Sequence, residues 1–191
     1  MVVSDKFKFV YIDTPKTGSI SFERLFKEKF DGYVVYPTNN KNLTKHCREI
    51  PKHAQNYQKI ISVRNPYDRL KSLHSYHLQR LSSQKDSISI DEFLDKIIKE
   101  REEYQKNGFL MYLSIDDYLS PFSTEANDCV VQLENATEQI NDLPFVKNRI
   151  ELPWRNSSSD TTKLTLASTT VNKVNIWAAN DFNKFGYKKI A

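Results

Sequence analysis

The order strand, polar turn, helix occurs twice in the N-terminal half of this chain, and that repetition limits the fold more than any other feature. In the first copy, residues 7–12 (FKFVYI) are aromatic and β-branched, as a buried strand requires. Pro15-Lys16-Thr17-Gly18-Ser19 follows, and then Phe22, Leu25, Phe26 and Phe30 recur at helical spacing. In the second copy KIISV (59–63) is the strand and Arg64-Asn65-Pro66 the turn. Residues 67–81 are the helix, with Leu70, Leu73, His77 and Leu81 along one face. A charged amphipathic helix is expected after the Ser89/Glu92 capping box, with an apolar face of Phe93, Leu94, Ile97 and Ile98. A strand over 128–133, a short helix over 137–143 and a last helix over 170–179 complete the pattern. Strands that alternate with helices predict an α/β fold with a mostly parallel central sheet flanked by helices. The whole chain, 1–191, reads as one domain.

Composition narrows the partners. Lys and Arg number 28 against 24 Asp and Glu, a net charge of +4 that suits an anionic ligand but is too small for a nucleic-acid binder. No apolar run reaches the ~20 residues that cross a bilayer. The opening MVVSDKFKFVYID lacks the plan of a signal peptide, so a cytoplasmic location, without membrane contact, is expected. Cys47 and Cys129 are too far apart and too few for a zinc site, and read as buried, reduced thiols. The N-x-[ST] matches at Asn42, Asn135 and Asn156 read as chance occurrences.

The two turns carry the chemistry. In open α/β sheets, ligands bind beyond the carboxyl ends of the strands. A strand-to-helix turn there offers backbone N–H groups and the positive end of the helix dipole. Lys16 adds a charge, Gly18 lets the backbone approach closely, and Thr17, Ser19 and Ser21 add hydroxyls. An ordinary helix cap is the structural alternative. The loop is not a Walker A motif, because its lysine precedes the glycine and GxxxxGK[ST] is absent. In the second turn Arg64 can clamp an anionic oxygen, with Ser72 two helical turns further on. Asp68 and Arg69 read as candidates for surface ion pairs, and so does Arg64 itself. Two such turns favour one ligand with two separated anionic groups.

PKTGSIS and SVRNPYDRLKS, in this context, resemble the sulfotransferases that use 3′-phosphoadenosine-5′-phosphosulfate (PAPS), the first as their 5′-phosphosulfate loop and the second as their 3′-phosphate motif. LEN (133–135), LPWRNSSS (152–159) and WAANDFNKFGY near the C-terminus follow in the order of the carbohydrate, Golgi-type branch, so the resemblance spans about residues 9–187. It implies a three-layer P-loop-like fold and sulfuryl transfer to an acceptor hydroxyl, that of a carbohydrate, with a protein tyrosine or a small alcohol as the alternative acceptors and PAP as the product. Lys16 would then contact the phosphosulfate, and Thr17, Gly18, Ser19, Ile20 and Ser21 would wrap the 5′-phosphate through backbone N–H groups. Arg64 and Ser72 would bind the 3′-phosphate. Ile20 stands where the family usually has Thr. The resemblance places a catalytic base just ahead of the second strand, which points to His46, with His53 in reserve. Arg155, Asn156 and Ser157 fall in a loop that the family places near the cofactor. No metal is required: His74 and His77, i,i+3 on a helix, lack a third ligand in sequence. A non-catalytic anion-binding module and a P-loop-like nucleotide kinase are the competing readings, the second without a Walker lysine or a Walker B-type strand end. Trp177 and Phe185 read as core aromatics, and 181–187 as a segment closing the core against the sheet.

Overall fold

The computed structural model describes residues 1–36, 49–80, 88–107, 109–122, 128–152 and 164–191, and these form two compact units. The first comprises Met1–Val63 and Leu119–Asn156; the second comprises Arg64–Tyr118 and Ser157–Ala191.

The first unit holds a five-stranded mixed sheet in the order β3-β1-β2-β4-β5. Its strands are β1 (Val2–Ser4), β2 (Phe9–Ile12), β3 (Tyr33–Val34), β4 (Gln58–Val63) and β5 (Cys129–Gln132). β2, β4 and β5 are parallel, with Tyr11 opposite Ile60 and Ile60 opposite Cys129, while β1 pairs antiparallel with both β2 and β3. Period-two alternation sends Phe9 and Tyr11 to one face, where they meet Phe22, Leu25 and Phe26 of α1 (Ser19–Lys29). α6 (Ala136–Asn141) adds Ala136 and Ile140 to the same core. The aromatic rings interlock: Phe9 stacks on Phe145 at 4.9 Å and Tyr11 lies 5.1 Å from Phe26. Val10, Ile12, Ile61 and Val63, on the opposite face, are buried too. This two-sided burial explains why both strands read as continuous apolar runs.

The second unit is helical: α2 (Pro66–Arg80), α3 (Ile90–Lys99), α4 (Arg101–Asn107), α5 (Ile115–Leu119), α7 (Ser168–Trp177) and α8 (Ala179–Phe185). Leu70 and Leu73 of α2, Phe93, Leu94 and Ile97 of α3, and Val171 and Val174 of α7 share one core. The capping box forms as expected, Ser89 Oγ accepting from the Glu92 N–H while the Glu92 carboxylate accepts from the Ser89 N–H at 2.8 Å. Ile98, expected on the apolar face, is 40% exposed. It follows Ile97 by one position, so the ~100° turn per residue carries it off the buried stripe. No helix among the described residues is long and apolar enough to cross a membrane.

The two helical histidines are packing residues in this unit. His74 pairs through Nε2 with the Ile88 carbonyl at 2.8 Å, and His77 lies on Phe93 with ring centroids 4.9 Å apart. Burial, with Lys96 and His74 nearby, holds the His77 imidazole below its ordinary value. The unfolded chain therefore takes up the proton first as pH falls. Wild-type stability should drop more steeply below about pH 6.5 than that of His77→Gln, which thermal melts across that range measure. Parallel profiles would show that His77 does not contribute.

Candidate functional site

After β2 the chain turns sharply to enter α1. Lys16 has φ 67° and Gly18, the N-cap of α1, has φ 83°, both in the left-handed region. The Gly18 carbonyl accepts from the N–H of Ser21 at 2.9 Å and of Phe22 at 3.3 Å. The N–H groups of Ser19 and Ile20 begin the helix and so have no intrahelical acceptor. The first turn of α1 contains no acidic residue, so the helix itself sets no carboxylate at the positive end of its dipole. Ile20 is 47% exposed at this rim and Lys16 is half-buried.

The loop is held by hydroxyl groups. Thr17 is fully buried, and its Oγ1 donates to the Thr14 carbonyl at 2.8 Å and lies 2.7 Å from Ser62 Oγ on β4. Thr14 Oγ1 donates to the Ser62 carbonyl, and the Tyr11 hydroxyl lies 2.8 Å from Ser62 Oγ. The Thr17 side chain is thus engaged within the loop, and what this residue offers a ligand is its backbone. Ser21 is likewise buried. Thr14, Ser62 and Tyr11 are missing from the sequence reading of the site, since none stands in the loop motif itself. Strand pairing carries Ser62 to the loop.

Gly18 is required twice over. A Cβ there would sit 2.6 Å from Leu133 Cδ1, at a φ that side chains avoid. Gly186, the C-cap of α8, has φ 72° with nothing within 4 Å of a Cβ. Gly186→Ala should therefore cost about 1–2 kcal/mol for backbone conformation alone. Gly18→Ala should cost at least as much, because the Leu133 methyl group must also swing aside. Denaturant melts of the two variants test this order, and a smaller loss in Gly18→Ala would refute the close approach.

In the second unit, Arg64 is half-buried ahead of α2, and Ser72 is buried on that helix. Asn65 Oδ1 accepts from the Tyr67 N–H at 3.0 Å, and Pro66 occupies the first helical position, where its missing N–H costs nothing. Asp68 makes the local pair expected of it, with Lys71 at 3.3 Å. Arg69 does not: it is 0% exposed, and its Nη2 donates to the carbonyls of Leu113 at 2.8 Å and Met111 at 3.2 Å, with the guanidinium 5.5 Å from the Trp177 ring. Burial lowers its pKa to about 10, the charge of Asp181 opposing and that of Arg64 adding to the shift. Arg64 is thus close enough to be felt. Asp181 is itself fully buried, accepting from the N–H groups of Ile115 (2.9 Å) and Asp116 (2.8 Å) at the start of α5. Burial raises its pKa against the opposing charge of Arg69. The 181–187 segment therefore closes the helical core, through Phe182 with Tyr187 packed against it, and carries a buried carboxylate that is held by backbone N–H groups.

His46, Cys47, Arg155, Asn156 and Ser157 lie outside the described residues. His53 stands at the amino end of the sheet, just ahead of β4, with Nε2 2.9 Å from the Tyr33 hydroxyl and 3.4 Å from Asp5 Oδ1. The Lys16 loop follows the carboxyl end of β2, so the structure does not bring His53 to Lys16. Cys129 is half-buried, its thiol pushed up by burial, and accepts from Gln58 Nε2 at 3.4 Å. Among the described residues, no group of three or more His, Cys, Asp or Glu side chains is placed to hold a metal ion.

No curated protein and no solved structure matches the chain. A family model described as the sulfotransferase family matches residues 1–133, a span that includes the Lys16 loop, Arg64 and Ser72. With more than half of its length matched, the chain belongs to the sulfotransferase family.

Proposed function

We propose that this chain transfers a sulfuryl group from PAPS to an acceptor hydroxyl, and that the acceptor is a carbohydrate, on a three-layer P-loop-like fold. The observation that carries the reading is the left-handed pair Lys16 and Gly18, which makes the tight turn into α1, a helix whose first turn holds no acidic residue. Such a cradle suits a phosphosulfate.

PAPS, when bound, supplies the activated sulfuryl group. Lys16 and the N–H groups of 17–20 would hold its 5′ end, the Ser21 N–H being taken by the Gly18 carbonyl, and Arg64 with Ser72 would hold its 3′-phosphate. As the S–O bond to the acceptor forms and the S–O bond to the phosphate breaks, negative charge grows on the departing phosphate oxygen. Lys16 and the loop N–H groups neutralise that charge, in the manner of an oxyanion hole. His46 takes the acceptor's proton. The transition state is loose and in-line, by analogy with phosphoryl transfer, so the protein's part is positioning and charge.

The exposed Ile20 favours one other reading, an anion-binding module without turnover, since the resemblance expects a hydroxyl at this place. Thermal shift with 3′,5′-ADP and ADP, followed by labelled transfer from PAPS to a panel of sugars, separates the two. Selective stabilisation by 3′,5′-ADP with transfer supports the enzyme. Stabilisation without transfer to any acceptor leaves the binding module, and equal stabilisation by both nucleotides removes the 3′-phosphate pocket.

A further inference from the structure

An arginine recognises a phosphate well only when its backbone is already in place, because ordering a loose turn on binding consumes the interaction energy. The Arg64 turn is anchored from a distant part of the second unit. Tyr67, the third residue after Arg64, is buried with its ring 5.2 Å from that of Phe182. Its hydroxyl donates to Asn175 Oδ1 on α7 and accepts from the Ile190 N–H at 2.8 Å. Asn175 Nδ2 in turn donates to the Ile190 carbonyl at 3.1 Å. Tyr67, Asn175 and Ile190 thus form a closed ring of hydrogen bonds.

The same residue receives the helix cap. The Tyr67 N–H donates to Asn65 Oδ1, so the side chain beside Arg64 is tied to the residue that the ring holds. A shift of Tyr67 strains that cap and carries Arg64 with it. The ion pairs of Lys173 with Asp91 and Asp95 also tie α7 to α3, yet they touch nothing in the turn.

We propose that Tyr67, strapped by Asn175 and the segment 187–190 that follows α8, is a positioning residue for Arg64 and sets the preference for a 3′-phosphate. The proposal rests on the reading of Arg64 as the 3′-phosphate ligand. Its test is the ratio of the dissociation constants of 5′-AMP and 3′,5′-ADP, measured by calorimetry on the full chain. Tyr67→Phe keeps the ring and loses the hydroxyl, Asn175→Ala breaks the ring of bonds from the other side, and Lys173→Met serves as the control. The expected result is a ratio about tenfold smaller in Tyr67→Phe and Asn175→Ala, a loss of about 1.4 kcal/mol in discrimination, with 5′-AMP binding unchanged. Lys173→Met should lower the melting temperature and leave the ratio at the wild-type value. A purely structural role would lower stability in all three variants without moving the ratio, and that outcome overturns the strap alone. A wild-type chain that does not prefer 3′,5′-ADP removes the reading of Arg64, and the strap with it. If one strap variant fails to fold, the ratio in the other decides.

Discussion

Lys16→Ala should lower sulfuryl transfer by about 10²–10³, the loss seen when one donor to a developing oxyanion is removed. The side chain leaves a backbone at φ 67°, where Ala is as strained as Lys, so the loop has no reason to relax into a different path. Lys16→Gly separates charge from strain. Glycine adopts this φ freely, which relieves about 1 kcal/mol, and it loses a similar amount through the greater freedom of the unfolded chain. Its stability should stay within about 1 kcal/mol of wild type while its transfer rate falls as far as that of Lys16→Ala. Labelled transfer from PAPS together with urea melts provides both readings. Full activity in either variant would remove Lys16 from the mechanism, and a Lys16→Gly enzyme more active than Lys16→Ala would show that strain, rather than charge, matters.

The second large effect lies in the sheet. Lys59 on β4 and Asp128, just ahead of β5, are 4% and 5% exposed and 3.5 Å apart, and the Lys59 N–H also donates to Asp128 Oδ1 at 2.9 Å. Lys59→Met takes away the cation and leaves a buried carboxylate, which should cost about 3–5 kcal/mol. Asp128→Asn in the same background removes the charge while keeping an acceptor for the Lys59 N–H, and should recover most of the loss. Asp128→Leu would recover less, since that N–H then loses its partner. Urea unfolding of the single and double variants measures the coupling. A cost below about 1 kcal/mol for Lys59→Met would mean that the pair behaves as a solvated surface bridge.

Several elements are legible from periodicity and local chemistry alone. Residues 59–63 and 67–81 differ from β4 and α2 by a residue or so, and the Ser89/Glu92 box starts α3 as its spacing requires. β1 and β3, of 3 and 2 residues, are not legible, because such lengths hold too little alternation to stand out. Leu81 and the polar 155–162 stretch lie outside the described residues. In the site, Lys16 and Gly18 follow from the motif. The role of Thr17 does not, because a hydroxyl in a loop sequence looks the same whether it faces a ligand or Ser62.

Arg69 and Asp181 mark the boundary most clearly. A charged residue such as Arg69 in a helix reads as surface, since charge is rarely buried without a partner. Here the acceptors, the Met111 and Leu113 carbonyls, come from a distant part of the chain, as do the N–H groups of Ile115 and Asp116 that hold Asp181. Apolar period and turn residues, which act between near neighbours, set the strand–turn–helix units and the place of Lys16 and Arg64. Which hydroxyls lock the loop, which arginine is buried, and what anchors Tyr67 were settled by tertiary packing. Those bonds join residues far apart in the chain, and only folding brings them within reach.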